Sequence, residues 1–99
     1  MAEEEPGSEV ARRRTAIVNK QGWHARPSAL VVKTANAFKS DVVISINGLV
    51  ANGKSMMEVI MLATPCGTVV EIEAKGPDAD ACADAIERLV ASRFGEELA

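Results

Sequence analysis

A single histidine lies close to an arginine in a short segment that contains turn-forming residues. The segment reads Gly22-Trp23-His24-Ala25-Arg26-Pro27-Ser28. Neutral imidazole is a nucleophile that forms covalent intermediates, and His24 is the only histidine among the 99 residues. The guanidinium of Arg26 is always charged and pairs well with the oxygens of phosphate or carboxylate. Together these two side chains suit chemistry on an anionic group.

The start of a helix is predicted at the same place. From Pro27 onward, apolar residues recur at helical spacing, at Val31, Ala35 and Phe38. Proline is tolerated only in the first turn of a helix, so the helix begins at or just after His24. Two positions compete for the N-cap, His24 and Arg26, because a residue that precedes proline is pushed away from helical angles.

Either N-cap leaves His24 beside the open end of the helix, where unpaired N–H groups favour anions. The same field disfavours imidazolium and keeps the ring neutral and nucleophilic. A neutral imidazole can attack a phosphorus centre, and Arg26 can then accept the added negative charge. A helix terminus contributes about 0.3–1 kcal/mol, which stabilises a phosphohistidine without preventing its release. The competing interpretation is an exposed histidine in a turn, and it predicts no partnership with Arg26.

The first ten residues differ in composition from the rest of the chain. Residues 1–10 contain four of the 14 acidic residues and no basic one, so we expect a disordered acidic tail. Residues 11–99 carry 10 acidic against 11 basic residues and form a single domain, without the basic excess of a nucleic-acid binder. No apolar run reaches the roughly 20 residues that cross a bilayer, and the acidic N-terminus does not resemble a secretory signal. We therefore expect a cytoplasmic protein.

Periodicity and turn residues predict the element order β-α-β-β-α-β-α. Strands are expected over residues 14–19, 41–46, from about 49, and over 68–74, with Asn47-Gly48 as the hairpin turn. The last helix has an apolar stripe at Ala79, Cys82, Ile86, Leu89 and Val90, and Gly95 is expected at its C-terminal cap. The expected fold class is α/β (α+β), an open-faced β-sandwich in which three helices cover one face of a four-stranded antiparallel sheet.

A short second helix is predicted from Ser55 to about Leu62. Ser55 and Glu58 form the S-x-x-E pattern of a capping box. Flexible methionines suit surfaces that dock several partners. The helix carries more of them than one buried stripe requires, at Met56, Met57 and Met61. For Met61, core and docking surface both remain open.

Metal and disulfide chemistry are not predicted. Cys66 and Cys82 form no C-x-x-C pair, and no nearby histidine completes a metal site. In a reducing compartment such thiols are usually small apolar residues. A ligand-binding domain of related α/β layout is a further alternative, but we recognise no glycine-rich nucleotide loop and no paired carboxylates to support it.

The segment from Gly22 to Ser28 resembles the active-site motif of the histidine-containing phosphocarrier (HPr) proteins, which read G-[hydrophobic]-H-[A/T]-R-P-[A/S]. The resemblance covers roughly residues 12–94 and includes two further stretches, Asn52-Gly53-Lys54-Ser55-Met56-Met57 and Gly67-Thr68-Val69-Val70. It implies a carrier that is itself the substrate of other enzymes, with no turnover of its own and no cofactor. The small size of the protein and the rapid exchange of partners that a carrier requires suggest a monomer.

The resemblance implies that His24 takes a phosphoryl group on Nδ1 from phosphorylated enzyme I, which received it from phosphoenolpyruvate. His24 then passes the group to an enzyme IIA-type acceptor of a bacterial phosphotransferase system. By the same resemblance, Arg26 steadies the phosphate. Trp23 stands where smaller hydrophobic residues are usual, and it either enlarges the contact or shields the loop. The expected docking surface comprises Trp23, Pro27, Ser28, Ala29, Lys54, Met56 and Met57.

Ser55 matches the position that an HPr serine kinase phosphorylates in some members to regulate the relay. Helix capping is the competing interpretation, and Glu58, where members commonly carry Gly or Lys, would repel a phosphoserine one turn away. The alternative function is a regulatory interaction module that acts through Ser55 and the Met56/Met57 face without phosphoryl transfer. If the protein is a carrier, two kinds of phosphotransferase branch are possible for its acceptor, one for sugar uptake and one for nitrogen-related regulation. Glu58 and residues 92–97 favour the regulatory branch weakly.

Overall fold

A computed structural model describes residues 9–96 of the chain. The strands are β1 (Glu9–Ala16), β2 (Asp41–Ile46), β3 (Leu49–Asn52) and β4 (Val69–Gly76). The helices are α1 (Ala25–Asn36), α2 (Met56–Ile60) and α3 (Ala79–Ala91), and a short 3-10 turn (Arg93–Gly95) follows α3. The predicted element order is confirmed.

The four strands form one antiparallel sheet in the order β1-β4-β2-β3. β2 has the predicted bounds and β3 begins where predicted. The two strands are joined by Asn47 and Gly48, whose φ angles of 53° and 80° fit a tight hairpin turn. Alternate residues of the strands are buried, in β2 at Val42, Ile44 and Ile46. The helices pack on this buried face, so the open-faced sandwich is confirmed.

The first strand begins earlier than predicted. The prediction placed it over residues 14–19 and assigned residues 1–10 to a tail, whereas β1 spans Glu9–Ala16. The first two residues of β1 pair with the end of β4, so this end of the expected tail belongs to the sheet. The remainder of the expected tail, residues 1–8, lies outside the described residues.

The arginine run of β1 hides the alternating pattern of a half-buried strand. Ala11 is buried, and the half-buried side chain of Arg13 reaches α3, where it donates to Asp84 at 3.0 Å and to Asp80 at 3.3 Å. The hydrogen bond to Asp84 raises the pKa of the Arg13 guanidinium. An arginine is tolerated on the side of β1 that faces α3 because this helix, which is distant in sequence, supplies carboxylates. No local pattern contains that information.

The core is mostly aliphatic, and Trp23 and Phe94 are its buried aromatic side chains. α3 buries Ala79, Cys82, Ala83, Ile86 and Val90, and α1 contributes Val31 and Ala35. Phe38 and Leu89, which were predicted with these stripes, are only partly buried. Within residues 9–96, no helix has the length and apolar character needed to cross a membrane.

Three further elements, β4, α2 and α3, end or begin at other residues than predicted. β4 begins one residue later and ends two residues later than expected. α2 ends at Ile60 rather than near Leu62. α3 ends at Ala91, and Gly95 is not its C-terminal cap, because Gly95 closes the separate turn that follows.

Candidate functional site

His24 is the N-cap of α1 and has an extended backbone, with φ −137° and ψ −164°. The helix begins at Ala25 and includes Arg26 although a proline follows it, which decides the N-cap in favour of His24. Ser28 ties the first turn to the histidine, since its backbone N–H and its Oγ donate to the His24 carbonyl oxygen at 3.0 and 2.7 Å. The predicted place of His24 at the open end of a helix is confirmed.

A glycine turn presents His24. Gly22 has a φ of +73°, its N–H donates to the carbonyl oxygen of Asn19 at 3.1 Å, and Asn19 Nδ2 donates back to the Gly22 carbonyl oxygen at 2.7 Å. A Cβ at position 22 would lie 2.3 Å from the carbonyl oxygen of Thr64. Glycine is therefore required here both for the left-handed backbone and for the close approach of a second chain segment.

Trp23 supports this loop from inside the protein. The prediction that Trp23 lines a docking surface is wrong, because its side chain is only 1 % exposed. Its Nε1 donates to the Val59 carbonyl oxygen at 3.1 Å, and its ring packs edge-on against Phe94. A buried indole N–H requires such a partner, and the carbonyl oxygen from α2 supplies it. The indole thus shields the loop rather than enlarging a contact.

A carboxylate that sequence reasoning did not identify reaches the histidine from the far end of the described chain. Oε2 of Glu96 lies 3.2 Å from His24 Nε2 and accepts from Arg26 Nη1 at 2.9 Å. Its Oε1 accepts from Asn19 Nδ2 at 2.9 Å, and Arg26 Nη1 also donates to the Phe94 carbonyl oxygen at 2.8 Å. His24 and Arg26 both contact this shared carboxylate, and the expected role of Arg26 toward a phosphoryl group stays a prediction.

The environment of Glu96 keeps it ionised. Burial raises the pKa of this carboxyl group, but hydrogen bonds from Asn19, Arg26 and His24 together outweigh burial and lower the pKa. An ionised carboxylate is a strong acceptor for a ring N–H, as in other carboxylate–histidine pairs. With Nε2 as the donor, the lone pair of the neutral ring resides on Nδ1.

The histidine borders a shallow pocket of about 330 Å³. The pocket is lined by Lys20, Gln21, His24, Arg26, Gly95 and Glu96. Among the hydrogen bonds of residues 9–96, none engages His24 Nδ1, and the ring is 32 % exposed. Among the described residues Nδ1 therefore has no hydrogen-bond partner, and the side chains of Lys20 and Arg26 would attract an anionic group that entered the pocket. The same part of the chain contains no cluster of three His, Cys, Asp or Glu that could hold a metal ion.

The docking surface predicted around His24 is only partly exposed. Pro27 and Ser28 are buried, so the prediction that they contact partners is wrong, and their role is to pack the first turn of α1. Met61 is 77 % exposed, which resolves the choice between core and surface in favour of the surface. The other exposed members are Ala29, Met56 and Met57.

Lys54 is half-buried, and its ammonium group makes a contact within the protein. Its Nζ donates to the Phe38 carbonyl oxygen at 2.9 Å, just after the C-terminus of α1. A cation is favoured at that end of a helix. The position of Lys54 near α2 was predicted, but its ammonium group ties α2 to α1.

Ser55 caps α2, as predicted from its spacing to Glu58. Its Oγ accepts from the Glu58 N–H at 3.4 Å. The reciprocal arm of the capping box is not formed, because the Glu58 carboxylate accepts from the Asn52 N–H at 3.0 Å instead. Glu58 thus also satisfies an outward-facing N–H group of the edge strand β3.

The chain is similar to known proteins over most of its length. A family model described as "PTS HPr component phosphorylation site" matches residues 11–92. The chain is 46 % identical over 87 residues to the phosphocarrier protein HPr of Cupriavidus necator, which covers 88 % of this chain and 98 % of that protein. It is 41 % identical over 81 residues to phosphocarrier protein HPr of Treponema pallidum, covering 82 % and 92 % of the two chains.

The fold agrees with solved structures as well. The crystal structure of HPr-C-His from Thermoanaerobacter tengcongensis is 39 % identical and has a TM-score of 0.83, covering 89 % of this chain and 99 % of that one. An HPr structure from Bacillus anthracis is 34 % identical with a TM-score of 0.77, covering 82 % and 96 %. This chain therefore belongs to the HPr family of phosphocarrier proteins of the phosphotransferase system.

Proposed function

We propose that this protein carries a phosphoryl group on Nδ1 of His24, from phosphorylated enzyme I to an enzyme IIA-type acceptor. One observation carries the proposal. The only histidine stands at the start of α1 with Nε2 engaged by Glu96, 3.2 Å away, and with Nδ1 free of hydrogen bonds among residues 9–96. Membership of the HPr family supports the same assignment.

The transfer requires one bond to form and one to break at each step. The lone pair of His24 Nδ1 attacks phosphorus, the P–N bond forms, and the bond from phosphorus to the donor breaks. In the second step the acceptor attacks phosphorus, and the electron pair of the P–N bond returns to Nδ1. The protein is thus a reactant that is regenerated, which is why it has no turnover by itself.

Arg26 is placed to respond to the added charge. Its side chain is 54 % exposed and is held by the Glu96 carboxylate and the Phe94 carbonyl oxygen. A phosphoryl group on His24 offers additional charged oxygens within the same pocket, and guanidinium groups bind such oxygens strongly. The exposed end of Arg26 can turn toward them without unfolding any element.

Exposed apolar side chains of α1, of α2 and of the residue that follows α2 form the proposed docking surface, which we define as Ala29, Met56, Met57 and Met61. Trp23 and Pro27 lie beneath the site and fix its shape. Methionine side chains can adapt to partners of different shape. A carrier must bind a donor and an acceptor in turn, so one adaptable surface serves both.

Modification of Ser55 by an HPr serine kinase remains a prediction. Its Oγ is the cap of α2, and Glu58 is one turn away. A phosphate there would face the repulsion of the Glu58 carboxylate. Incubation with such a kinase and ATP, with Ser55→Ala as the control, tests the site, and equal incorporation into both chains would remove Ser55 from consideration.

The main proposal is tested by labelling. The protein is incubated with enzyme I and phosphoenolpyruvate that carries labelled phosphate, and the label is expected to be acid-labile and absent from His24→Ala. No label in the wild type, or equal label in both chains, would contradict the proposal. The purified labelled protein is then offered separately to IIA-type acceptors of the sugar and nitrogen-related branches. The acceptor that removes the label fastest identifies the branch.

A further inference from the structure

We infer that Glu96 is a positioning residue for phosphoryl transfer at His24, because its carboxylate holds the ring proton on Nε2 and balances the positive charge of the phosphorylated ring. The inference rests on the proposed function of His24. The family model matches residues 11–92 and so does not include Glu96. Its role follows from the geometry of this protein.

The carboxylate is held by two residues besides the histidine. Asn19 Nδ2 donates to Oε1 and Arg26 Nη1 donates to Oε2, both at 2.9 Å. The Glu96 side chain is 17 % exposed, and its two oxygens lie 3.4 and 3.2 Å from His24 Nε2. The acceptor is therefore oriented toward Nε2 before any partner arrives, which is the condition for a positioning role.

An unusual backbone turn delivers Glu96 to this place. Arg93, Phe94 and Gly95 are consecutive residues with φ of 63°, 54° and 74°. Two of them are not glycine, and L-residues rarely adopt such angles. Phe94 is buried against Trp23, which anchors the turn in the core. Strained backbone of this kind is maintained where the surrounding structure fixes it, and it concentrates at functional sites.

The carboxylate lets the reaction proceed without moving a proton. When Nδ1 of His24 bonds to phosphorus, the ring keeps its hydrogen on Nε2 and becomes positively charged. Of the residues that line the pocket, Arg26 and Lys20 are positively charged and would repel the charged ring. Only Glu96 is negatively charged and can balance it. When the acceptor takes the phosphoryl group, the electron pair returns to Nδ1 and a neutral imidazole leaves. Glu96 stabilises the charged state between these two steps.

The charge is tested with Glu96→Gln, which keeps the shape and one acceptor oxygen but removes the negative charge. We expect kcat for phosphorylation by enzyme I to fall on the order of 10-fold, as when other carboxylate partners of functional histidines are removed. KM should stay unchanged, because Glu96 is not part of the proposed docking surface. Glu71→Gln, which removes an exposed carboxylate from β4, is the matched control and should leave both constants unchanged. Wild-type kcat in Glu96→Gln would overturn the inference.

A second measurement separates this inference from the proposed function. In the unphosphorylated protein, NMR with ¹⁵N-labelled histidine should detect a slowly exchanging proton on Nε2 of His24, and Glu96→Ala should lose it. Thermal unfolding of both variants verifies the fold, and the kinetic comparison with the isosteric Gln variant carries the test if the Ala variant does not fold. Equal proton protection in wild type and Glu96→Ala contradicts the positioning role while labelling still upholds His24 as the acceptor. Absence of label in wild type rejects the proposed function, whatever the NMR result.

Discussion

The indole ring of Trp23 and the ring of Phe94 meet edge to face, with centroids 5.7 Å apart and planes at 88°. Trp23 also donates from Nε1 to the Val59 carbonyl oxygen at 3.1 Å. Through these contacts one side chain connects the His24 loop, α2 and the turn that carries Glu96. The parts of the site that are distant in sequence are thus held together beneath the surface.

Replacement of Trp23 by alanine should therefore destabilise the whole domain. Truncation of a buried aromatic side chain typically costs about 3–5 kcal/mol, a large part of the stability of a small domain. Urea unfolding followed by circular dichroism gives the free energy of unfolding. Met57→Ala is the control, because its side chain is 82 % exposed and its loss should change stability by less than about 0.5 kcal/mol. Similar losses in both variants would show that Trp23 is not a central core residue.

Gly22 and Gly48 allow the close approach at the His24 loop to be separated from backbone strain. Both have a positive φ, +73° and +80°, but a Cβ at Gly22 would meet the Thr64 carbonyl oxygen, whereas a Cβ at Gly48 meets nothing within 4 Å. Gly48→Ala should cost about 1–2 kcal/mol from the backbone alone. Gly22→Ala should cost a further 1–3 kcal/mol or so and slow the labelling of His24. Comparable unfolding free energies for the two variants would mean that the loop accommodates a Cβ at position 22 at little cost in stability.

The elements that could be predicted from the sequence are those whose signals are local. The alternation of β2 and the Asn47-Gly48 turn lie within a few residues of each other, and the structure has these elements at the predicted bounds. Pro27 likewise located the start of α1, because proline is confined to the first turn of a helix. In each case the residues that signal the element lie within that same element.

The features that were missed depend on distant parts of the chain. Arg13 belongs to β1 because α3 provides its carboxylate partners. Trp23 is buried because α2 and Phe94 meet over it, whereas the sequence around it resembles an exposed loop. Glu96 reaches His24 through a turn of positive φ angles that residues such as Arg93 seldom adopt. Local patterns do not carry this information, since it arises only when the chain is folded.

Asp78 should make stability depend on pH in the acid range. Its carboxylate accepts from the Ser40 hydroxyl at 2.6 Å and from the Ser40 and Lys39 N–H groups at 2.9 Å. The Ser40 hydrogen bond is the main cause that lowers the pKa of Asp78 from 3.8 to about 2. A lowered folded pKa means that the carboxylate stabilises the fold fully above about pH 4 and that this contribution is lost as pH falls toward about 2.

Asp78→Asn should therefore be less stable than wild type near neutral pH, and the difference should narrow between about pH 4 and about pH 2. Urea unfolding at several pH values in this range measures the difference. The exposed Asp41 provides the matched control, and Asp41→Asn should change stability by less than about 0.5 kcal/mol at neutral pH. A difference between wild type and Asp78→Asn that stays constant down to about pH 2 would contradict the prediction.

Met57 and Met61 should contribute to partner binding and not to stability. Their side chains are 82 % and 77 % exposed, so truncation to alanine should leave the unfolding temperature nearly unchanged. If α2 docks on enzyme I, each truncation should raise KM for phosphorylation about fivefold, corresponding to about 1 kcal/mol, with kcat preserved. Initial rates at varied carrier concentration separate the two constants. Val69→Ala is the control, because Val69 is 39 % exposed and alternates with the buried Val70 in β4, so it lies on the open face of the sheet. The same increase in KM for Val69→Ala, or no increase for the methionine variants, would place the docking surface elsewhere.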